Sequence, residues 1–501
     1  MVDIPPEIWY RIALFVPDEE LCHLLGVNNV FFDLAMNLRW REVAIETRST
    51  IEAMHILKRL SDPYVAGRLH HFRLRLTHVK AKHTRGNSNR DRGKDFKQLK
   101  QHFYLIINRV FKIKHRVSNE INIAAVERLD PQSSRPTFSD VVNAIVAATP
   151  YFVNVRELTI DSWDLPPSYG NLETLFSSFW TSFGENLQCL SLGGNMEGFR
   201  VFIESNPRFK RIQTLRIEFT NNVFRVDREK DTAILVDIVV PFINELKASL
   251  HMLQVWSWAN LDLSFFFQRL SVPPLLNHLN IRMAFNKVSD PSGLKHLLCE
   301  GAKTLERVDL RLNSSGLPFN HTSEESLGRW LSLCTEDPRC FANLRYLDIY
   351  PTNTLVGTDV LLTSIIRSSG TLAHLTIRDR YFHLPEATLV LEAASRCRNL
   401  THLRMNVLRL NVPLLDLLSV YVPSITNLWL AVGEAFNNNE NAGIGQNFFH
   451  ELQQRRYMDW KLKDLSISQG GHDVDRETLE AIANSIPSVS SFFGRGHMDI
   501  S

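Results

Sequence analysis

The sequence lacks the short signatures of bond-making chemistry. It contains no H-E-x-x-H, no G-x-S-x-G and no phosphate-binding Gly-Lys-Ser/Thr. Its cysteines, Cys22, Cys189, Cys299, Cys334, Cys340 and Cys397, form no C-x-x-C, and only Cys334 and Cys340 lie close together. That pattern is neither a disulfide framework nor a zinc site, and free buried thiols in a reducing compartment are expected. Long hydrophobic runs are missing too. The longest, 233–243, is broken by Asp237 and is too short to span a bilayer. The opening MVDIPPEIWY has no basic region leading into an apolar run, so no secretory signal is expected. The glycosylation-like triplets at Asn313 and Asn320 are then chance matches. With a net charge of +2, the whole molecule has no bulk attraction to nucleic acid. These absences point to a protein of the cytoplasm or nucleus that is not an enzyme, holds no cofactor or metal and avoids membranes.

What the sequence does have is a recurring phrase: apolar, two residues, apolar, one residue, apolar. It reads VRELTI at 155–160, LQCLSL at 187–192, IQTLRI at 212–217, LHMLQV at 250–255, LNHLNI at 276–281 and LERVDL at 305–310. It continues as LRYLDI at 344–349, LAHLTI at 372–377, LTHLRM at 400–405, ITNLWL at 425–430 and LKDLSI at 462–467, with a worn VSSFFG at 489–494. The central residues, from Leu158 to Leu465, recur every 25 to 39 residues. That period belongs to stacked repeats, in which one strand per copy buries its apolar side only against its neighbours. Helical patterns at 141–148, 294–298, 360–366, 389–394, 414–418 and 479–486 fall between the strands. Pro150, Gly370, Pro423 and Pro487 stop several of them.

The phrase resembles the strand of a leucine-rich repeat. The resemblance implies an α/β solenoid, an irregular horseshoe with parallel strands on the concave face and helices on the convex face. The Asn that the family places after the strand stands here only at Asn195 and Asn313, so poorly matched turns are expected. Polar insertions at 221–231, 314–326 and 434–446 lengthen three spacings. They read equally as recognition loops and as tolerated insertions.

Residues 3–45 form a different unit. Pro5 and Pro6 suit a helix start, and Ile8, Ile12, Phe15 and Val16 follow at helical spacing. Pro17 ends that helix, Asp18 can cap the next, and Leu21, Leu24 and Leu25 give it an apolar face. Val27, Phe31, Leu34, Ala35 and Leu38 suggest a third helix, and Trp40 and Val43 close the unit. The string IPPEIWYRIALFVPDEELCHLLGVNNVFFDLAMNLRWREV resembles an F-box, with Ile4 in place of the usual Leu. The resemblance implies docking to a Skp-family adaptor, and through it to a cullin. The implied contact set is Ile4, Pro5, Ile8, Ile12, Leu21, Leu24 and Val27. A bare helical cap for the solenoid, with these residues as its own core, is the competing reading.

Three segments follow: an F-box at 1–47; a linker helix, early repeat strand (Leu69, Phe72, Leu74) and basic insertion at 48–137; and the repeat solenoid at 138–501. Within 68–116 stand fifteen Lys and Arg against Asp91 and Asp95. HTRGNSNRDRGKD at 83–95 reads as a loop, and 96–111 returns to helical spacing. A solvated insertion, a flap attracting an acidic or phosphorylated partner, and a nuclear-import signal all fit. The loop lacks interleaved aromatics for stacking bases, which disfavours nucleic acid.

Strand alternation puts the residues between the apolar positions on the exposed face. It gathers Arg282, Arg311, Arg378 and Arg404 around Tyr346, Tyr350 and Trp429, a set suited to an acidic or phosphorylated peptide. The alternative is a solvated face whose arginines pair with Asp309 and Asp348. His278, His374 and His402 share one repeat position and read as polar face residues rather than metal ligands. The two resemblances together imply a substrate-recognition adaptor of a Skp–cullin–F-box ubiquitin ligase. A protein-binding scaffold or inhibitor uncoupled from ubiquitination is the alternative.

Overall fold

The structure, a computed structural model, describes residues 4–76, 136–162, 172–221, 227–259, 261–284, 289–312, 324–349, 356–378, 380–433, 447–470 and 472–496. Most of the basic insertion, including the 83–95 loop and the 96–111 helical pattern, lies outside these residues. So do 222–226, 314–323 and 434–446 of the three polar insertions. The chain packs as two compact units, residues 1–156 with 164–183, and residues 157–163 with 184–501.

The first unit begins with three helices: α1 (Pro6–Ala13), α2 (Asp18–Leu21) and α3 (Asn29–Trp40). Pro6 opens α1, where its missing N–H costs nothing. Pro17 takes the cap position of α2, and Asp18 is the first helical residue rather than the cap expected from sequence. Asn28 caps α3 by accepting from the Phe31 N–H at 3.0 Å. Ala13, Leu21 and Phe31 form the core of the three helices, with Trp9, Val16, Leu24, Leu34 and Leu38 packed against it.

Val43 is not the close of that helical unit. It lies in β1 (Glu42–Glu46), which runs parallel to β2 (His71–Arg75) with Val43 opposite Phe72 and Ile45 opposite Leu74. Between them come α4 (Thr50–Leu60) and α5 (Pro63–Ala66). Asp33 of α3 accepts from Tyr64 Oη at 2.6 Å and from Arg68 at 2.7 Å, tying α3 to the end of α5. Two more helices, α6 (Phe138–Ala148) and α7 (Leu172–Phe183), complete the unit. A Thr137–Asp140 capping box starts α6. Phe72 meets Phe152 and Phe179 at ring-centre distances of 5.4 and 5.8 Å.

The second unit is the repeat stack. Its strands are β3 (Glu157–Ser162), β4 (Cys189–Gly194), β5 (Thr214–Phe219), β6 (Met252–Ser257), β7 (His278–Arg282) and β8 (Arg307–Arg311). They continue as β9 (Tyr346–Ile349), β10 (His374–Ile377), β11 (His402–Val407), β12 (Asn427–Val432) and β13 (Asp464–Gln469). Each pairs in parallel with the next. The register is the one the repeated phrase dictates: Leu158, Leu190, Leu215, Leu253, Leu279, Val308, Leu347, Leu375, Leu403, Leu428 and Leu465 lie side by side. All are buried. Each is worth roughly 1.5–3 kcal/mol of burial.

The worn twelfth copy supplies β15 (Ser491–Phe492), with Phe492 beside Leu465. β14 (His472–Asp473) pairs antiparallel with the far end of β13, at Ser468 and Gln469, and β16 (Arg495–Gly496) turns back on β15.

Helices fill the spaces between strands as the spacing predicts, and neighbours in sequence pack on each other. Asn195, the family-like turn residue, is buried and caps the helix Met196–Glu204 by accepting from Gly198 N–H. Asn313 lies outside the described residues. In the helical run 228–246 the segment Leu235–Val239 widens to a π-turn. Pro241 has no N–H for the Asp237 carbonyl, and the wider turn accommodates its ring. Gly293 marks a close helix contact. A Cβ there would come within 2.3 Å of the Phe267–Gln268 backbone.

Candidate functional site

Two surfaces stand out, one on each unit. On the first, α1 and the turn that follows it carry two apolar stripes. Trp9, Ala13 and Val16 face the core, while Ile8, Ile12 and Phe15, at i, i+4 and i+7, face solvent. Phe15 and Leu14 are 88% and 82% exposed, and Ile4, Val27 and Phe32 are also exposed. Of the seven residues implied as an adaptor contact set, Ile4, Pro5, Ile8, Ile12 and Val27 lie on the surface. Leu24 is half-buried against the core. Leu21, only 5% exposed, belongs to the core itself.

On the second unit, strand alternation lays out three rows of side chains across the polar face. The first row holds Arg307, Tyr346, His374 and His402 on consecutive strands. Tyr346 stacks on His374 at 4.1 Å and His374 on His402 at 4.0 Å, with the Arg307 guanidinium 5.6 Å from the Tyr346 ring centre. Burial, helped by His402 and the nearby arginines, pushes the His374 imidazole down to about 4, and burial lowers that of His402. At neutral pH both are therefore uncharged rings in a stack. His278 stands apart on β7 and meets the Asp309 carboxylate at 3.0 Å. No group of metal-ligating side chains forms among the described residues.

The middle and last rows carry the charge. Arg378 donates to Asp348 at 2.8 Å and Arg311 lies 3.6 Å from the same oxygen. Arg307 donates to Asp309 at 3.1 Å. Both aspartates are buried, whereas Arg311 and Arg378 are partly exposed, so the acids lie beneath and the guanidiniums outside. Burial raises the Asp348 carboxyl in spite of Arg378, Arg311 and Arg404. At Asp309 burial is outweighed by His278 and Arg307, which pull it below the usual range. The pairing of arginines with Asp309 and Asp348 thus exists, but through Arg307 as well as Arg311 and Arg378. The Arg404 guanidinium lies over the Trp429 ring, 3.6 Å from its centre, and Trp429 remains 40% exposed. Tyr350, expected on this face, is outside the described residues.

Arg282 does not join Tyr346 and Trp429. It turns toward β6 and lies 3.9 Å over the Trp258 ring and 5.9 Å from that of Trp256. The Trp258 indole N–H donates to Glu218 on β5, and that of Trp256 to Asn280 at 2.9 Å. Burial, then the Asp161 charge, pushes the Glu218 carboxyl up to about 7. Sequence reasoning passed over this cluster because Trp258 follows β6, outside the repeated phrase. Arg307 was equally legible, since it shares the Tyr346 position.

Among the described residues no helix is long and apolar enough to cross a membrane. Neither a scan of protein-family models nor a search of curated proteins returns a match. Among solved structures the chain is distantly similar to one described as the Rad7 and Elc1 complex in yeast. The identity is 14% and the TM-score 0.33, over 61% of this chain and 75% of that one. A likeness at this level assigns neither family nor partner.

Proposed function

We propose that this chain is a substrate-recognition adaptor of a Skp–cullin–F-box ubiquitin ligase. The N-terminal helices dock a Skp-family adaptor, and the polar face of the repeat sheet binds a protein target. The reading rests on one observation above the rest. The three-helix unit has a complete core around Ala13, Leu21 and Phe31, yet keeps Ile8, Ile12, Leu14, Phe15 and Val27 exposed. A helical cap would turn such residues inward. An apolar patch left outside on so small a unit is a contact surface. Burying several of these side chains at roughly 1.5–3 kcal/mol each is ample to hold a partner. The chain itself does no bond chemistry; its contribution is to bring the target near the reacting machinery.

The test is co-expression with a Skp-family adaptor. Ile8→Asp with Phe15→Asp should abolish co-purification while leaving thermal unfolding unchanged, because both side chains are exposed. Leu21→Asp serves as the contrast, since it disrupts the core and reports folding. A folded wild-type chain that captures no adaptor refutes the proposal. Adaptor capture without cullin recruitment converts it to a scaffold uncoupled from ubiquitination.

A further inference from the structure

The polar face narrows the kind of target, given the adaptor reading above. Among the described residues on its rows from β7 to β12, Arg282, Arg307, Arg311, Arg378 and Arg404 are set against Asp309 and Asp348. The two acids are buried beneath their guanidinium partners, so the surface a guest meets is cationic. Next to it stands an exposed ring. One face of Trp429 is covered by Arg404. On its other side, the residue paired with it in β13 is Ser466, whose side chain is too short to cover an indole. Stacking under Trp429 also holds Arg404 in place, which lowers the entropy lost on binding.

We infer that the target segment is an extended peptide carrying a carboxylate for Arg378 and Arg311 and an aromatic ring, about four residues away, for the open face of Trp429. The spacing follows from the sheet. Arg378 and Arg311 both reach the Asp348 carboxylate on β9, and Trp429 lies in the same row on β12, three strand separations away, or about 14 Å. An extended chain crossing the strands advances about 3.3 Å per residue and covers that distance in about four residues. Arg and Trp are the side chains on which binding energy concentrates.

The experiment uses the full chain and a panel of ten-residue peptides with blocked ends. Each has one Glu and one Phe separated by one to five positions, with Gln and Ala replacements as controls, and binding is read by fluorescence polarisation. The expected result is an optimum at a separation of about four, with about tenfold weaker binding on replacing either residue. Trp429→Ala should remove the preference for Phe and leave the preference for Glu, and Arg378→Gln should do the converse. Arg378→Glu should come to prefer Lys over Glu in the peptide, a gain that a misfolded chain cannot give. Absence of a spacing optimum, or preferences that survive both substitutions, overturns the inference. Adaptor co-purification depends only on the helical unit. Its persistence alongside failed peptide selection refutes this inference alone, and its loss alongside successful selection refutes the ligase reading alone.

Discussion

Glu218 should make the repeat unit less stable as the pH rises from about 4.5 to about 7. Its carboxyl lies on β5, with Asp161 of β3 two strands away across Gly193, which has no side chain to separate them. Burial and the Asp161 charge raise it from 4.5 to about 7. Below 4.5 the group is protonated both folded and unfolded, and nothing depends on it. Between 4.5 and 7 the unfolded chain gives up the proton while the folded chain keeps it, so stability falls with pH. Above 7 both are charged and the loss is constant. A difference of about 2.5 in pKa corresponds to about 3 kcal/mol, and partial exposure of the side chain brings the expectation to about 2–3 kcal/mol. Glu218→Gln removes the charge and keeps an oxygen for the Trp258 indole N–H. Urea unfolding of both proteins at pH 4.5 and pH 8 tests this. The variant should gain about 2–3 kcal/mol over wild type at pH 8 and almost nothing at pH 4.5. Asp161→Asn should recover part of the same gain. An advantage of Glu218→Gln that is equal at the two pH values would refute the reasoning.

Three further outcomes follow from packing. Gly293→Ala should destabilise by about 1–3 kcal/mol, because its Cβ would meet the Phe267–Gln268 backbone at 2.3 Å. Gly370→Ala, with nothing within 4 Å, should be neutral or slightly stabilising, and denaturant midpoints compare the two. Leu375→Ala should cost about 2–5 kcal/mol, with faster hydrogen exchange concentrated in β9 to β11 rather than spread through the unit. In alkylation followed by mass spectrometry, Cys22 should react first. Cys299, Cys340 and Cys397 are buried and their thiols pushed upward, so they should stay protected until the chain unfolds.

The strand register was legible because the phrase fixes its own phase. The apolar residue that opens each copy, such as Leu187 or Leu276, is buried in the approach to the strand, and the strand begins two residues later. β1 was not legible, because Val43 and Ile45 alone make too short an alternation to separate from the preceding helix. Nor did spacing settle which arginine serves which acid or ring. Arg282 and Arg311 hold the same repeat position, yet one reaches back to Trp258 and the other reaches toward β9 and Asp348. Side-chain torsions, which periodicity does not encode, decide between neighbouring strands. The same gap hid Leu21. Two apolar stripes on short helices give no sign of which one turns inward until the third helix is placed.

The taper at the C-terminal edge of the sheet has a consequence for self-association. β13 is six residues long, and an open edge of that length would offer unpaired backbone donors and acceptors to another molecule. Instead β15 pairs with the two residues at one end of it and β14 with the two at the other, and the rim passes to β14 and β16, each only two residues long. These short segments act as a stopper against polymerisation. Deleting residues 472–496 should turn a monodisperse protein into one whose light scattering grows with concentration, through strands adding end over end to a bare β13.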